Sequence, residues 1–539
     1  LEFSIMRRQR VILATMTILS GTILSGPSGL GSGFAATPLP RPSGPYPAAT
    51  LPTDEPDSIP HTLAETLGIA YETNPQLTGE RAHLRSTDEN VPAALAGWRP
   101  TIVINSSWGS AVGRYDEPAG CGSPSILSAQ TSGQYQAACY TNGKVPPNTT
   151  TSKTYNAQGQ YIDSMEDNRN LYSNTGTITQ YLYRGGKTAA STHEAVNNVY
   201  AERARLIAEE ETVFTDTINA YVTFIEDQQL LGLDRQNEQV LGDELRAIND
   251  RFRVGELTRT DVAQAEAALA QAIATRQTAE GNLETARASF VRNVGVLPPA
   301  DLADPQPLKL PIKTETEAAN LAGDNNPTVI ADLFNEAQLK DAIDVAFASI
   351  GPNLYLQGQG FQQVGQSLRG TAVYGVQGTI NLTFPLYQGG SEYAAIRQAR
   401  QNYQQGVRMT QDARRAAREQ AVQAWDTLVA ARAATASSRI AVRSAQIAVE
   451  GTEREALVGS ATTQDVLIQQ QNLLSAQITL VQNITSIVTA SYGVASAIGR
   501  LTAKDLGLAV PLYDETAYYN AVRDRLWGTG DYAVHQPGR

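Results

Sequence analysis

The stretch Leu182-Tyr183-Arg184-Gly185-Gly186 returns 204 residues later as Leu386-Tyr387-Gln388-Gly389-Gly390 (182 to 386). At the same offset Val254-Gly255 returns as Val458-Gly459, Asp261-Val262 as Asp465-Val466, and Val294-Gly295 as Ile498-Gly499. No net insertion separates the two copies from the first match to the last. A repeat that keeps its length while its composition drifts is holding a dimension, because the intervening segment must reach between two fixed levels. The 539 residues are therefore one architecture built twice, not a string of three or four globular domains.

A second pair of landmarks precedes the repeat. Asn74-Pro75 and Pro100 recur as Asn326-Pro327 and Pro352, at an offset of 252 (75 to 327). The difference between 252 and 204 leaves 48 residues in the first half without a counterpart, between Pro100 and Leu182. In that interval Ile102, Ile104 and Trp108 open an alternating apolar pattern that Ile178 and Leu182 close. In the second half Ile380, Leu382 and Phe384 alternate with Thr379, Asn381 and Thr383. Each half thus predicts a β-hairpin, four strands per chain, with one apolar and one polar face. The extra residues enlarge the first hairpin's outer loop, 109–176, which holds the chain's two cysteines. In an oxidising compartment a Cys121–Cys139 bridge would constrain that loop by roughly 3 kcal/mol of unfolded-state entropy.

The glycine pairs are followed by Lys187–Val254 and Ser391–Val458, segments of equal length without proline and rich in Ala, Gln, Glu and Arg. As helices each would span roughly 100 Å. A thin seam runs through Ile396, Ala399, Tyr403, Val407, Thr410, Ala417, Ala421, Ala424, Leu428 and Ala431. Shorter helices return over Thr258–Val294 and Thr462–Ile498, the latter with a seam through Leu473, Leu480, Ile484, Ile487, Ser491, Val494 and Ile498. Before each hairpin the sequence predicts a short helix, capped in the first half by Thr62 with Glu65, and a second one over about Thr78–Gly97. The resulting division is a first repeat over 61–297, a linker over 298–314, a second repeat over 315–506 and a C-terminal segment over 507–539 ending in a mobile tail.

Met6-Arg7-Arg8-Gln9-Arg10 and the apolar run after it predict a signal peptide over 1–35, with the residues before Met6 a start-site artefact. Eight prolines between Pro38 and Pro60 make 36–60 an extended leader. The formal charge of −12 argues against nucleic acid as a partner. The histidines His61, His83, His193 and His535 show no ligand spacing, and no phosphate loop or nucleophile motif occurs. No enzyme activity, cofactor or metal is expected.

Four amphipathic strands cannot close a membrane barrel alone, since the smallest single-chain barrels need about eight, and open edges are costly in lipid. Several identical chains must share one barrel. With the Asn-Pro after the first helix of each half, the Leu-Tyr-x-Gly-Gly after each hairpin and the Val-Gly…Asp-Val at each helical turn, the chain resembles the TolC-like outer-membrane efflux proteins over Thr62–Leu506. That resemblance implies a mainly α fold with a membrane β-barrel portion, and a homotrimer with one twelve-stranded barrel and an α-helical periplasmic tunnel. Around it the segment after Leu506 would help form an equatorial belt. It also implies an exit duct in the outer membrane for a tripartite efflux pump or type I secretion system. The partners would be a periplasmic adaptor, an inner-membrane transporter of RND or ABC type, and outer-membrane lipid. The other functional class is a structural or adhesive surface protein acting through the long outer loop.

The site residues follow from both readings. Gly185, Gly186, Gly389 and Gly390 suit strand-to-helix corners. Gly255 and Gly459 suit left-handed caps, and the resemblance makes Gly255, Leu257, Thr258, Gly459, Ala461 and Thr462 adaptor-docking tips, unequal because Ala461 stands where the first repeat has Leu257. Asp261 sits at capping-box spacing from Thr258. Asp465 does so from Thr462, and the resemblance adds an acidic ring at the channel entrance, with Ile468 at the position where relatives carry a second acid.

Overall fold

The computed structural model describes residues 60–118, 150–155, 161–366 and 372–530. The signal peptide, most of the leader, Cys121, Cys139, His535 and the end of the tail lie outside the described residues.

Helix α1, Leu63–Thr73, starts from the Thr62 capping box: Glu65 N donates to Thr62 Oγ1 (3.3 Å) and Thr62 N to Glu65 Oε2 (3.3 Å). It stops at Asn74, whose Oδ1 accepts from Gln76 N (2.9 Å) and so opens α2, Pro75–Asp88. Proline suits this first helical position because its missing N–H would have no partner there. The second helix therefore begins three residues before the expected Thr78. It also ends earlier. The chain breaks at Glu89 and restarts as α3, Asn90–Leu95, and a 3-10 turn, Ala96–Trp98, because Pro92 can sit only in the first turn of a new helix. In the second half the same joint, Asn326-Pro327, links α6, Glu315–Asn325, to an unbroken α7, Pro327–Phe347.

The antiparallel sheet has the order β1 (Thr101–Pro118), β3 (Tyr161–Arg184), β4 (Asn353–Val364), β5 (Ala372–Thr383). The two hairpins are thus neighbours through β3 and β4. The expectation of four strands needs correction: a short fifth, β2 (Thr150–Tyr155), pairs with Tyr161–Glu166 at the far end of β3, on the edge that β4 occupies lower down. Strands β4 and β5 have 12 residues each, close to the 9–11 or so that cross a bilayer at a tilt, whereas β1 has 18 and β3 has 24 and continue beyond them. Register carries the alternation across the sheet. Ile104, Gly176, Gly360 and Val376 share one row, and Trp108, Tyr172, Val364 and Ala372 another. That face is apolar and uncovered, with Trp108 86% and Val376 89% exposed. The other carries Thr177, Thr179, Gln357, Gln359 and Gln377, with Gln377 Nε2 donating to Gln359 Oε1 (2.7 Å). The outer edges of β1 and β5 have no strand neighbour among the described residues.

Left-handed glycine pairs turn each hairpin into a long helix: Gly185 (φ 62°) and Gly186 (φ 87°) before α4, Lys187–Arg253; Gly389 (φ 72°) and Gly390 (φ 84°) before α8, Ser391–Leu457. Both helices have 67 residues. Helices α5, Arg259–Val294, and α9, Thr463–Ala497, return over the half nearest the tips. The other half of α4 packs on α2, α3 and α7, and that of α8 on α6 and α7. The α8 seam is buried as its spacing predicts at Ile396, Thr410, Ala417, Ala421, Leu428 and Ala431. On α9 the expected Ser491, Val494 and Ile498 are buried, but nearer the tip the buried line passes through Leu474, Thr485 and Val488, leaving Ile484 exposed. This helix is apolar on several faces, so periodicity could not single out the one that packs.

The core sits in a belt where the short helices, the tops of α5 and α9 and the C-terminal segment meet the long helices. One cluster holds Leu67, Leu77, Leu84, Phe214, Tyr221, Phe290 and Leu501; the other holds Ala318, Ala322, Val329, Ala421, Leu428 and Val494. Two of the sequence's repeat markers meet there. Asn74 Nδ2 donates to Asn293 O (3.0 Å) and Asn326 Nδ2 to Ala497 O (3.3 Å), so each Asn-Pro joint is tied to the end of its return helix just before Gly295 or Gly499. A Cβ on Gly499 would lie 2.4 Å from Asn325 O. The C-terminal segment is less irregular than its composition suggests, since it carries α10, Ala517–Val522.

Candidate functional site

The sheet's apolar face and open edges are one candidate surface; the helical tips are the other. At the first tip α4 ends with Gly255 left-handed (φ 85°), Gly255 N donating to Phe252 O (3.0 Å) and Glu256 N to Arg251 O (3.0 Å). At the second, Gly459 (φ 80°) donates to Ala456 O (3.3 Å) and Ser460 N to Glu455 O (2.9 Å). Each chain reversal then enters a capping box. Asp261 Oδ2 accepts from Thr258 N (2.8 Å) and Thr258 Oγ1 (2.7 Å); Asp465 Oδ2 accepts from Thr462 N (2.9 Å) and Thr462 Oγ1 (2.6 Å). These hydrogen bonds, the Thr hydroxyl's first and the backbone N–H second, hold both carboxyls below the usual Asp range. Within one chain the two aspartates do the same work, so the expected contrast between a structural Asp261 and a gating Asp465 has no counterpart in their local geometry. Asp465 and Ile468 do share an exposed face, one turn apart on α9, while Val466 between them is buried.

Leu257 and Ala461 are half-buried under the turns. The expected Thr258 and Thr462 are exposed, but the apolar side chains the tips offer to solvent are Phe252, Val254, Leu457 and Val458, with Val254 73% and Leu457 80% exposed. They were missed because apolar residues at the end of an amphipathic helix look like more seam; the signal was their position beside the capping glycine.

In the belt, burial turns acidic residues into clamps. Glu211 Oε1 accepts from Leu501 N (3.1 Å) and Glu210 Oε1 from Ala503 N (2.6 Å), fixing the chain where it leaves α9. Desolvation pushes Glu210 up to about 7 and Glu211 up to about 8, against the pull of those N–H groups. Beside them the buried Arg81 donates from Nη2 to Tyr71 O (2.9 Å) and lies 4.4 Å above the Tyr71 ring. Nothing in the local sequence marks the two glutamate contacts, whose partners are 290 and 293 residues away. Glu80 and His83, which no ligand spacing singled out, converge with Glu202, 119 residues beyond His83.

The architecture has known counterparts. The family profile described as "Outer membrane efflux protein" matches residues 66–296 and 318–500, more than half of the chain. The outer membrane efflux protein BepC of Brucella suis biovar 1 is 28% identical over 543 residues, covering 98% of each chain. The outer membrane protein TolC of Escherichia coli K12 is 24% identical over 65% of this chain and 74% of that one. Among solved structures, the Campylobacter jejuni CmeC outer membrane channel superimposes with a TM-score of 0.63 at 16% identity, over 86% of this chain and 89% of that one. The chain therefore belongs to the outer membrane efflux protein family, TolC-like channels of the outer membrane and not enzymes.

Proposed function

We propose that the protein is the outer-membrane exit duct of a tripartite efflux pump or type I secretion system. In this reading it is a homotrimer whose three sheets close one twelve-stranded barrel above an α-helical periplasmic tunnel. The observation that carries the reading is the sheet itself: an uncovered apolar face, a polar face opposite, and two edges without a strand neighbour among the described residues, joined to a pair of 67-residue helices. In lipid each unpaired backbone group costs several kcal/mol, so the edges of β1 and β5 need the edges of other copies. Helix α9 supports the same assembly. It is apolar enough for a membrane span, yet only 17% of its most apolar window is buried within the chain, which leaves a side for a neighbouring copy to cover.

The duct receives its cargo through a periplasmic adaptor docked on the tips and an inner-membrane transporter of RND or ABC type. The exposed Phe252, Val254, Leu457 and Val458 support an apolar contact there, around turns fixed by Gly255, Thr258, Gly459 and Thr462. Three copies of Asp465, kept ionised by its capping bonds, form a ring that favours cations, with Ile468 an apolar step beside it. Single-channel recording in planar bilayers tests this. Wild-type protein conducts and prefers cations, and Asp465→Asn conducts with weaker preference. Absence of conductance in both would overturn the duct and favour a surface protein working through its outer loop.

A further inference from the structure

Glu80 and His83 stand one turn apart on α2 and face Glu202 on α4, and one ligand atom from each lies within 4.8 Å of the other two. We propose that this trio is a divalent-cation site, suited to zinc, that links the belt helix α2 to the tunnel helix α4.

The Glu-x-x-His spacing puts both α2 ligands on one helix face. Glu202 comes from the opposite side with its side chain 2% exposed. Its Oε2 accepts from Arg205 Nη1 (2.9 Å), and that guanidinium is steadied by a second bond to Asn335 Oδ1 (3.2 Å). Oε1 is left to face His83 Nδ1, with which it is in hydrogen-bonding contact. Glu80 Oε1 lies 3.9 Å from the same nitrogen, and the two carboxyl groups are themselves within hydrogen-bonding reach.

Two carboxylates against one arginine leave an uncompensated negative charge when His83 is neutral, and Glu209 adds to it from further along α4. Glu202 is buried and Glu80 partly so, with its side chain 28% exposed, and a cation held between the two carboxylates relieves their repulsion. One imidazole nitrogen with two carboxylate oxygens suits zinc better than magnesium or calcium, which favour all-oxygen shells. Tetrahedral ligands on bonds of about 2.1 Å lie roughly 3.4 Å apart, so rotation of the exposed His83 and the partly exposed Glu80 side chains is enough to close the set. The His83 side chain is 60% exposed, which gives the ion a way in and leaves a coordination position for water.

An ion held by both helices stabilises the belt only when present, by an amount set by its concentration relative to Kd. The test is calorimetric titration of the full chain, purified in detergent and stripped with EDTA, with zinc chloride at about neutral pH, alongside thermal melting. The site predicts one ion per chain, unaffected by millimolar magnesium, and a melting temperature that rises with zinc. His83→Ala and Glu80→Gln each weaken binding about tenfold or more and remove the thermal shift, whereas His193→Ala changes neither. His83 is exposed and Glu80→Gln keeps side-chain volume, so circular dichroism should show both variants folded. Wild-type affinity in His83→Ala, or folded wild-type protein that takes up no zinc, overturns the proposal.

Discussion

The two Asn-Pro joints make the most local prediction. Asn326 does two things at once: its Oδ1 caps α7 through Thr328 N (3.0 Å), and its Nδ2 ties α6 and α7 to the last turn of α9 through Ala497 O (3.3 Å). Loss of a helix cap costs about 1 kcal/mol. Leaving the Ala497 carbonyl without its donor adds about 1–3 kcal/mol, because Asn326 is only 8% and Ala497 0% exposed and water cannot readily replace the bond. Asn326→Ala should thus lose about 2–4 kcal/mol. Thr314, which caps α6 through Glu317 N (3.3 Å) at an exposed site, has the first role alone, so Thr314→Ala should lose about 1 kcal/mol. Asn326→Asp keeps the capping oxygen but has no amide donor, and it turns a carboxylate oxygen toward the carbonyl; it should fall near Asn326→Ala. Thermal melting followed by helical circular dichroism, with limited proteolysis in the belt as a second readout, ranks the three. Equal midpoints for Asn326→Ala and Thr314→Ala, or a wild-type midpoint for Asn326→Asp, would refute a structural role for the tie to α9.

Gly185→Ala and Gly389→Ala both place an alanine at left-handed φ, at about 1–2 kcal/mol, but only at Gly185 does the new Cβ meet backbone, 2.6 Å from Ala348 O. The yield of folded protein should fall much further for Gly185→Ala, and equal yields would contradict that packing. The belt should loosen as pH rises. Glu210 and Glu211 are held above their unfolded value of 4.5, so the fold binds more protons than the unfolded chain between about 4.5 and about 8 and loses stability across that window. Melting temperatures should decline over that range, with a shallower slope in Glu210→Gln/Glu211→Gln; a rise with pH in wild type would reverse the sign and sink the account. A photo-crosslinker on Val254→Cys or Val458→Cys should capture the periplasmic adaptor in cells, and one on Ile440→Cys, exposed on α8 about 27 Å short of the tip, should not; equal capture from all three would remove the tips from the interface.

Much of this architecture is local and was legible as such. Strand alternation, the proline-free helical runs, the capping boxes at Thr258 and Thr462 and the left-handed glycines each depend on a few neighbouring residues, whose spacing is the physical cause of the element. The constant offset between the halves added a length constraint that composition alone would not reveal. Other features are set only where distant segments meet. That β3 pairs with β4, that Asn74 reaches the end of α5, that α9 buries Leu474 and Thr485 and leaves Ile484 out, and that Glu210 and Glu211 grip the chain after α9 all depend on contacts between segments far apart in sequence. Such contacts leave no periodicity behind. The same holds for Glu202: alone it is one glutamate among many on an amphipathic helix, and only the packing of α2 against α4 brings it within reach of His83.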